Sequence, residues 1–185
     1  MTIKMKKLFI ALVTIFTIGF STDTFAQYDY NWAVGFRVGE PLGFNARKYF
    51  QNGDKAFDLN VGTYGFLYNR QRRYNAGEYK TAGLMIQGIY LWQNQVFNRD
   101  WAHVYYGFGG QVNSRSHYAD ILIGQKVDHI RKIALGPTGT AGFELKLPNQ
   151  PLAFFLDAGL YIEALPSPFF WNGQVSGGLR LNIIK

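Results

Sequence analysis

From Gly173 to Lys185 the chain alternates without a break. Val175, Gly177, Leu179, Leu181 and Ile183 share one parity, while Gln174, Ser176, Gly178, Arg180 and Asn182 share the other. Successive side chains of a β-strand point to opposite faces, so this segment carries one apolar and one polar face. Seven earlier segments repeat the pattern: about 30–39, 42–50, 56–67, 82–92, 101–112, 133–146 and 152–164. In the third, Phe57, Leu59 and Val61 oppose Asp58, Asn60 and Gly62. In the fifth, Val104, Tyr106 and Phe108 oppose His103, Tyr105 and Gly107.

Turn signals separate these segments. Gln51-Asn52-Gly53-Asp54 and Pro148-Asn149 predict tight connections, whereas 68–81 and 113–132 predict long polar ones. Short and long connections alternate after a brief first turn at Glu40-Pro41. Tyr30, Trp32, Tyr49, Phe50, Tyr90, Trp92 and Trp101 then fall at one rim, where amphipathic rings favour a membrane interface. Pro137 interrupts the sixth segment; a bulge there, or pairing only from Thr138 onward, accommodates its missing donor.

The N-terminus reads differently. Lys4, Lys6 and Lys7 precede the apolar run Leu8–Phe20, and Thr24-Phe25-Ala26 supplies the small residues of a signal-peptidase site. Thirteen apolar residues are too few for the roughly 20 that cross hydrocarbon as a helix. Residues 1–26 are therefore expected to be a cleaved signal peptide and 27–185 a single domain. With Lys4, Lys6, Lys7 and Asp23 removed, 16 of the 19 basic and 11 of the 12 acidic residues remain, a net charge of +5. The absence of cysteine excludes disulfides, thiolate metal sites and a lipidated cysteine anchor.

Composition decides which face points inward. Charged residues make up 17% of the chain, against about 25% in soluble domains. The polar face is mostly Gly, Asn, Gln, Thr and Tyr, with Arg37, Arg47 and Arg180 nearly balancing Asp58, Glu144, Asp157 and Glu163. An eight-stranded interior is just wide enough to be filled by side chains, and buried ions require partners. The expected fold is all-β: a closed eight-stranded antiparallel up-and-down transmembrane barrel, its apolar face toward lipid and these seven ions in its lumen. No apolar run after Phe20 is long enough for a membrane helix, so spanning requires closure of the sheet.

The segment from Trp32 to Gly43 (WAVGFRVGEPLG) resembles the opening hairpin, and those from Tyr105 to Gly110 (YYGFGG) and from Gly177 to Leu181 (GGLRL) resemble the fifth and last strands, of small outer-membrane barrel proteins of Gram-negative bacteria. The resemblance implies insertion by the outer-membrane assembly machinery and residence in the cell outer membrane. It departs at the terminus, where Ile184-Lys185 stands in place of the usual aromatic residue.

Candidate chemistry is sparse. Ser114, Ser116, His117 and Asp120 share one polar connection and resemble the Ser, His and acid of barrels that hydrolyse or transfer lipid A acyl chains. Nothing in their spacing places a base against a nucleophile, so catalysis is not expected. Gly107, Gly109 and Gly110 read as strand glycines, because no helix follows them. His103 reads as a lumen partner and His129 as a loop residue; no metal or cofactor is expected. Arg70, Arg72, Arg73, Lys80, Arg115, Lys126, Arg131 and Lys132 make the long connections basic and suited to lipopolysaccharide phosphates. The leading expectation is a monomeric outer-membrane barrel with a structural, adhesive or surface-interaction role, with outer-membrane lipid and not nucleic acid as its surroundings. A lipid A-modifying barrel and a secreted lipocalin-like carrier of an apolar ligand are the alternatives.

Overall fold

A computed structural model describes residues 32–65, 77–80, 83–96, 99–119, 130–148 and 150–183. The expected signal peptide, Tyr30, and the terminal Ile184-Lys185 lie outside these residues. Nine strands form: β1 Trp32–Gly39, β2 Leu42–Phe50, β3 Lys55–Tyr64, β4 Gly77–Lys80, β5 Gly83–Val96, β6 Arg99–Ala119, β7 Ile130–Lys146, β8 Leu152–Glu163 and β9 Phe170–Ile183. Each pairs antiparallel with its sequence neighbours, except that β4 and β5 lie end to end along β6 and make a single stave. β1 pairs with β9 over eight residues, from Trp32 opposite Ile183 to Gly39 opposite Ser176. The sheet therefore closes on itself as an eight-stave up-and-down barrel.

The short connections, 51–54 and 147–151, lie at the end that also carries the start of β1 and the end of β9. At 51–54 the chain reverses through three consecutive left-handed residues, Gln51, Asn52 and Gly53 (φ 49°, 57° and 93°). The opposite end holds 40–41 and 164–169, together with the end of β3, the start of β5, the end of β6 and the start of β7.

Strand-length differences correct the expected connections. β6 and β7 run seven and three residues beyond their predicted ends, so half of 113–132 is paired strand, and 120–129 lie outside the described residues. β4 likewise lies inside the stretch expected to be a loop. Beyond the apolar band no face has to be greasy, and the alternation signal vanishes although the hydrogen-bond ladder continues. Pro137 stays in register with Gly110 of β6, but the β8 ladder stops at Thr138–Tyr161. The next contact is the Leu135–Leu165 bridge, where the amides of Ala164 and Leu165 both donate to the Leu135 carbonyl, so the chain just past β8 carries one extra residue, a bulge opposite Leu135 and two residues from the proline.

The two faces of the wall differ completely. Phe36, Phe44, Leu84, Phe108, Ile133 and Leu156 point outward and are exposed. The interior holds Arg37, Arg47, Asp58, Gln87, Gln111, Glu144, Asp157, Gln174 and Arg180, all buried. Inward glycines make room for the larger lumen side chains. A Cβ on Gly142 would lie 2.5 Å from the Tyr105 ring, and one on Gly178 would lie 2.8 Å from that of Phe155. Gly142→Ala is expected to displace Tyr105 and to destabilise the barrel by about 1–3 kcal/mol, the usual cost of overpacking. Denaturant titration of the micelle-folded protein checks this; a midpoint equal to wild type would show that Tyr105 moves freely.

Candidate functional site in the barrel lumen

The lumen contains a continuous polar core assembled from positions of one parity. Register sets its first pair, because Arg47 of β2 stands directly opposite Asp58 of β3. The guanidinium binds this carboxylate through two nitrogens, at 2.5 and 2.8 Å, the fork geometry that arginine offers a carboxylate. Its remaining nitrogen donates to Glu144 of β7 at 2.9 Å. Arg180 of β9 donates to the same Glu144 oxygen at 2.5 Å and to Asn45 at 2.5 Å, and lies 3.4 Å from Asp58. The Tyr49 hydroxyl donates to the other Glu144 oxygen at 3.0 Å. Two arginines thus share two carboxylates. Aromatic faces complete their surroundings: the Arg180 guanidinium lies 3.7 Å from the Phe155 ring centroid, and that of Arg47 lies 4.4 Å from Tyr105.

A second cluster adjoins the first. Arg37 donates to Asp157 at 2.7 Å and to the Ser176 hydroxyl, which itself donates to Asp157 at 2.6 Å. The Tyr105 hydroxyl donates to the other Asp157 oxygen at 3.1 Å. Uncharged amides form the next layer. Asn45 donates to Asn60 and Asn60 to Gln87, whose amide nitrogen faces Gln111, Thr138 and Gln174 at 2.8–3.1 Å. Towards the other end, Arg115 and Glu163 approach to 2.9 Å, with the guanidinium 4.8 Å from the Phe170 ring centroid. Near the short-connection end Lys146 Nζ and His103 Nε2 lie 3.3 Å apart.

All seven charged positions read as a lumen network are thus buried, with Arg37, Arg47, Asp58, Glu144, Asp157 and Arg180 in two adjoining clusters and Glu163 apart from them. The basic connections fare differently. Arg115 is corrected: it is buried in the lumen against Glu163 and does not contact an external phosphate. Its parity matches His103, Tyr105, Gln111 and Asn113, and carrying the alternation of β6 past Val112 would have turned it inward. Arg131 and Lys132 are exposed at the start of β7, and Lys80 lies in β4. Arg70, Arg72, Arg73 and Lys126 lie outside the described residues.

Tyr49 is a second correction. Placed with the rim aromatics from sequence, it points into the lumen, whereas Trp32, Phe50, Tyr90 and Trp101 are exposed on the outer wall. Ser114, Ser116 and His117 lie within β6 and not in a loop; Asp120 and His129 fall outside the described residues. The amide layer was not singled out from sequence, although Asn45, Asn60, Gln87, Gln111 and Gln174 all share the parity of the charged residues.

No known protein family and no curated protein matches the chain. Among solved structures, Ail of Yersinia pestis, titled the attachment invasion locus protein, superposes with a TM-score of 0.52 at 11% identity, covering 83% of this chain and 97% of that one. The N-terminal β-barrel domain of Pseudomonas aeruginosa OprF gives 0.49 at 14% identity, covering 83% and 95%. The chain has the fold of the small eight-stranded outer-membrane barrels. At such identities the likeness is one of fold. In this barrel the sheet closes through the β1–β9 and β6–β7 pairings, and the apolar coat lies on the outside, as hydrocarbon requires.

Proposed function

We propose that this protein is an integral barrel of the bacterial outer membrane with a structural or surface-contact role, and that it neither conducts solutes nor catalyses a reaction. The observation that carries this reading is the filled lumen. Arg47, Arg180, Asp58 and Glu144 meet across the barrel axis, and the amide layer of Gln87, Gln111 and Gln174 closes the section above them. An eight-stranded barrel whose side chains interlock in this way has no aqueous path. Its outward display then rests on the long-connection end. There Phe169 is 86% exposed in a left-handed conformation, φ 66°, a position suited to contact with another surface. Its structural neighbour Ail carries attachment in its name, which supports the adhesive form of the reading. Arg131 and Lys132 offer lipopolysaccharide phosphates a cationic rim at the same end. Under this proposal the barrel acts as a monomer, delivered by the outer-membrane assembly machinery.

The test is fractionation followed by bilayer recording. The protein is expected in the outer-membrane pellet, extractable only with detergent, and silent in planar bilayers. Recovery in a detergent-free periplasmic supernatant would favour a soluble carrier. Regular conductance steps would contradict the closed lumen.

A further inference from the structure

The outward wall holds a feature that a uniform lipid-facing coat does not need. A groove of about 510 Å³ is lined by Trp92, Tyr106, Phe108 and the backbone of Gly107, Gly139 and Thr140. One bank is an aromatic stack: Trp92 lies 5.8 Å from Tyr106 and 5.4 Å from Phe108, centroid to centroid. The floor is kept low by glycine. A Cβ on Gly139 would meet only the Gly107 carbonyl, at 3.6 Å, and one on Gly110 would meet nothing within 4 Å. Packing does not demand glycine at these two outward positions, and at Gly139, which lines the groove, its effect is to leave the trough open.

The groove continues into a cationic rim. Lys55 stands opposite Trp92, Trp92 opposite Tyr106, and Tyr106 opposite Ala141. Because barrel strands tilt, this row climbs from the first residue of β3 at the short-connection end into the middle of β6 and β7. Lys48, the outward diagonal neighbour of Lys55, holds its ammonium 5.2 Å from the Trp32 ring and 5.5 Å from that of Phe50. Both lysines are half-buried on the apolar wall, and among the described residues neither is paired with a carboxylate. The carboxylate nearest in sequence, Asp54, is exposed in the adjoining turn. Long cationic side chains at a membrane boundary extend toward headgroups; here Lys55 adjoins Trp92 at the edge of the groove, and Lys48 lies one strand further along the same wall with its ammonium over Trp32 and Phe50.

We propose that this wall binds one anionic glycerophospholipid of the periplasmic leaflet, with its phosphate on Lys48 and Lys55 and one acyl chain in the groove beside Trp92, Tyr106 and Phe108. Charge selects an acidic headgroup. Outer-membrane barrels carry their short turns on the periplasmic side, so the rim position selects the periplasmic leaflet at the short-connection end over lipopolysaccharide of the opposite one. The inference rests on the membrane placement proposed above.

The experiment uses the full barrel folded in detergent micelles, with folding verified by heat-modifiable migration. Equimolar phosphatidylglycerol, phosphatidylethanolamine and lipopolysaccharide are added, and retained lipid is counted by native mass spectrometry. One phosphatidylglycerol should be retained with a preference on the order of ten-fold, the scale of two lysines near a charged headgroup. K48Q/K55Q should bring the preference to parity, K48R/K55R should keep it, and Gly139→Leu should weaken retention of both lipids while the barrel still folds. Parity in the wild type, an undiminished preference in K48Q/K55Q, stronger retention of lipopolysaccharide, or unchanged retention in Gly139→Leu would each overturn the site. Failure to fold in micelles would instead count against the membrane reading itself.

Discussion

Glu144→Ala should lower the stability of the folded barrel by about 3–5 kcal/mol, the loss typical of breaking a buried ion pair from one side. Glu144 accepts from Arg47 at 2.9 Å, from Arg180 at 2.5 Å and from the Tyr49 hydroxyl at 3.0 Å. Its removal leaves two fully buried guanidiniums sharing Asp58 alone. Their mutual repulsion is then poorly compensated, and the Tyr49 hydroxyl loses its acceptor in a site that water does not reach. Glu144→Gln should fall between the two, because it keeps an acceptor oxygen and loses the charge. Urea titration of the micelle-folded protein, followed by the heat-modifiable band, measures both. A Glu144→Ala midpoint matching wild type would mean that water enters the lumen and screens the arginines.

Leu179→Arg and Arg180→Leu should both disable the barrel, for opposite reasons. Leu179 points outward between Phe36 and Phe154, its partners on β1 and β8, while Arg180 points inward to Glu144 and Asn45. A cation at position 179 should cost roughly 2–4 kcal/mol near the bilayer midplane. Leucine at 180 leaves Glu144 and Asp58 with Arg47 as their remaining close cation. The yield of protein folded into vesicles reads both, and undiminished insertion of Leu179→Arg would place that residue away from hydrocarbon.

Much of the architecture was legible because hydrocarbon imposes a strict alternation. Within the apolar band every strand had to present one greasy face, so β2 was delimited residue for residue and β8 to within one. Outside the band that pressure ends. The distal parts of β6 and β7, and all of β4, looked like loops although their backbones remain paired. Arg115 was misplaced for the same reason: a cation in an apparent loop reads as solvent-facing, while strand parity turns it toward Glu163. Tyr49 shows the converse error. Its residue type favoured an interface, but it shares parity with Asn45 and Arg47, and in a strand parity overrides type.

Sequence alone determined that the chain crosses back and forth as alternating strands, that ions and amides share one face, and that this face carries too little charge for water. Which ion meets which was decided only by the closed barrel. Arg47 and Glu144 are 97 residues apart, and Arg37 and Ser176 are 139 apart. Their meeting depends on strand order and on the stagger with which β1 seals against β9. Stagger is a property of the whole sheet, set when the last stave pairs with the first, and no local window of residues encodes it.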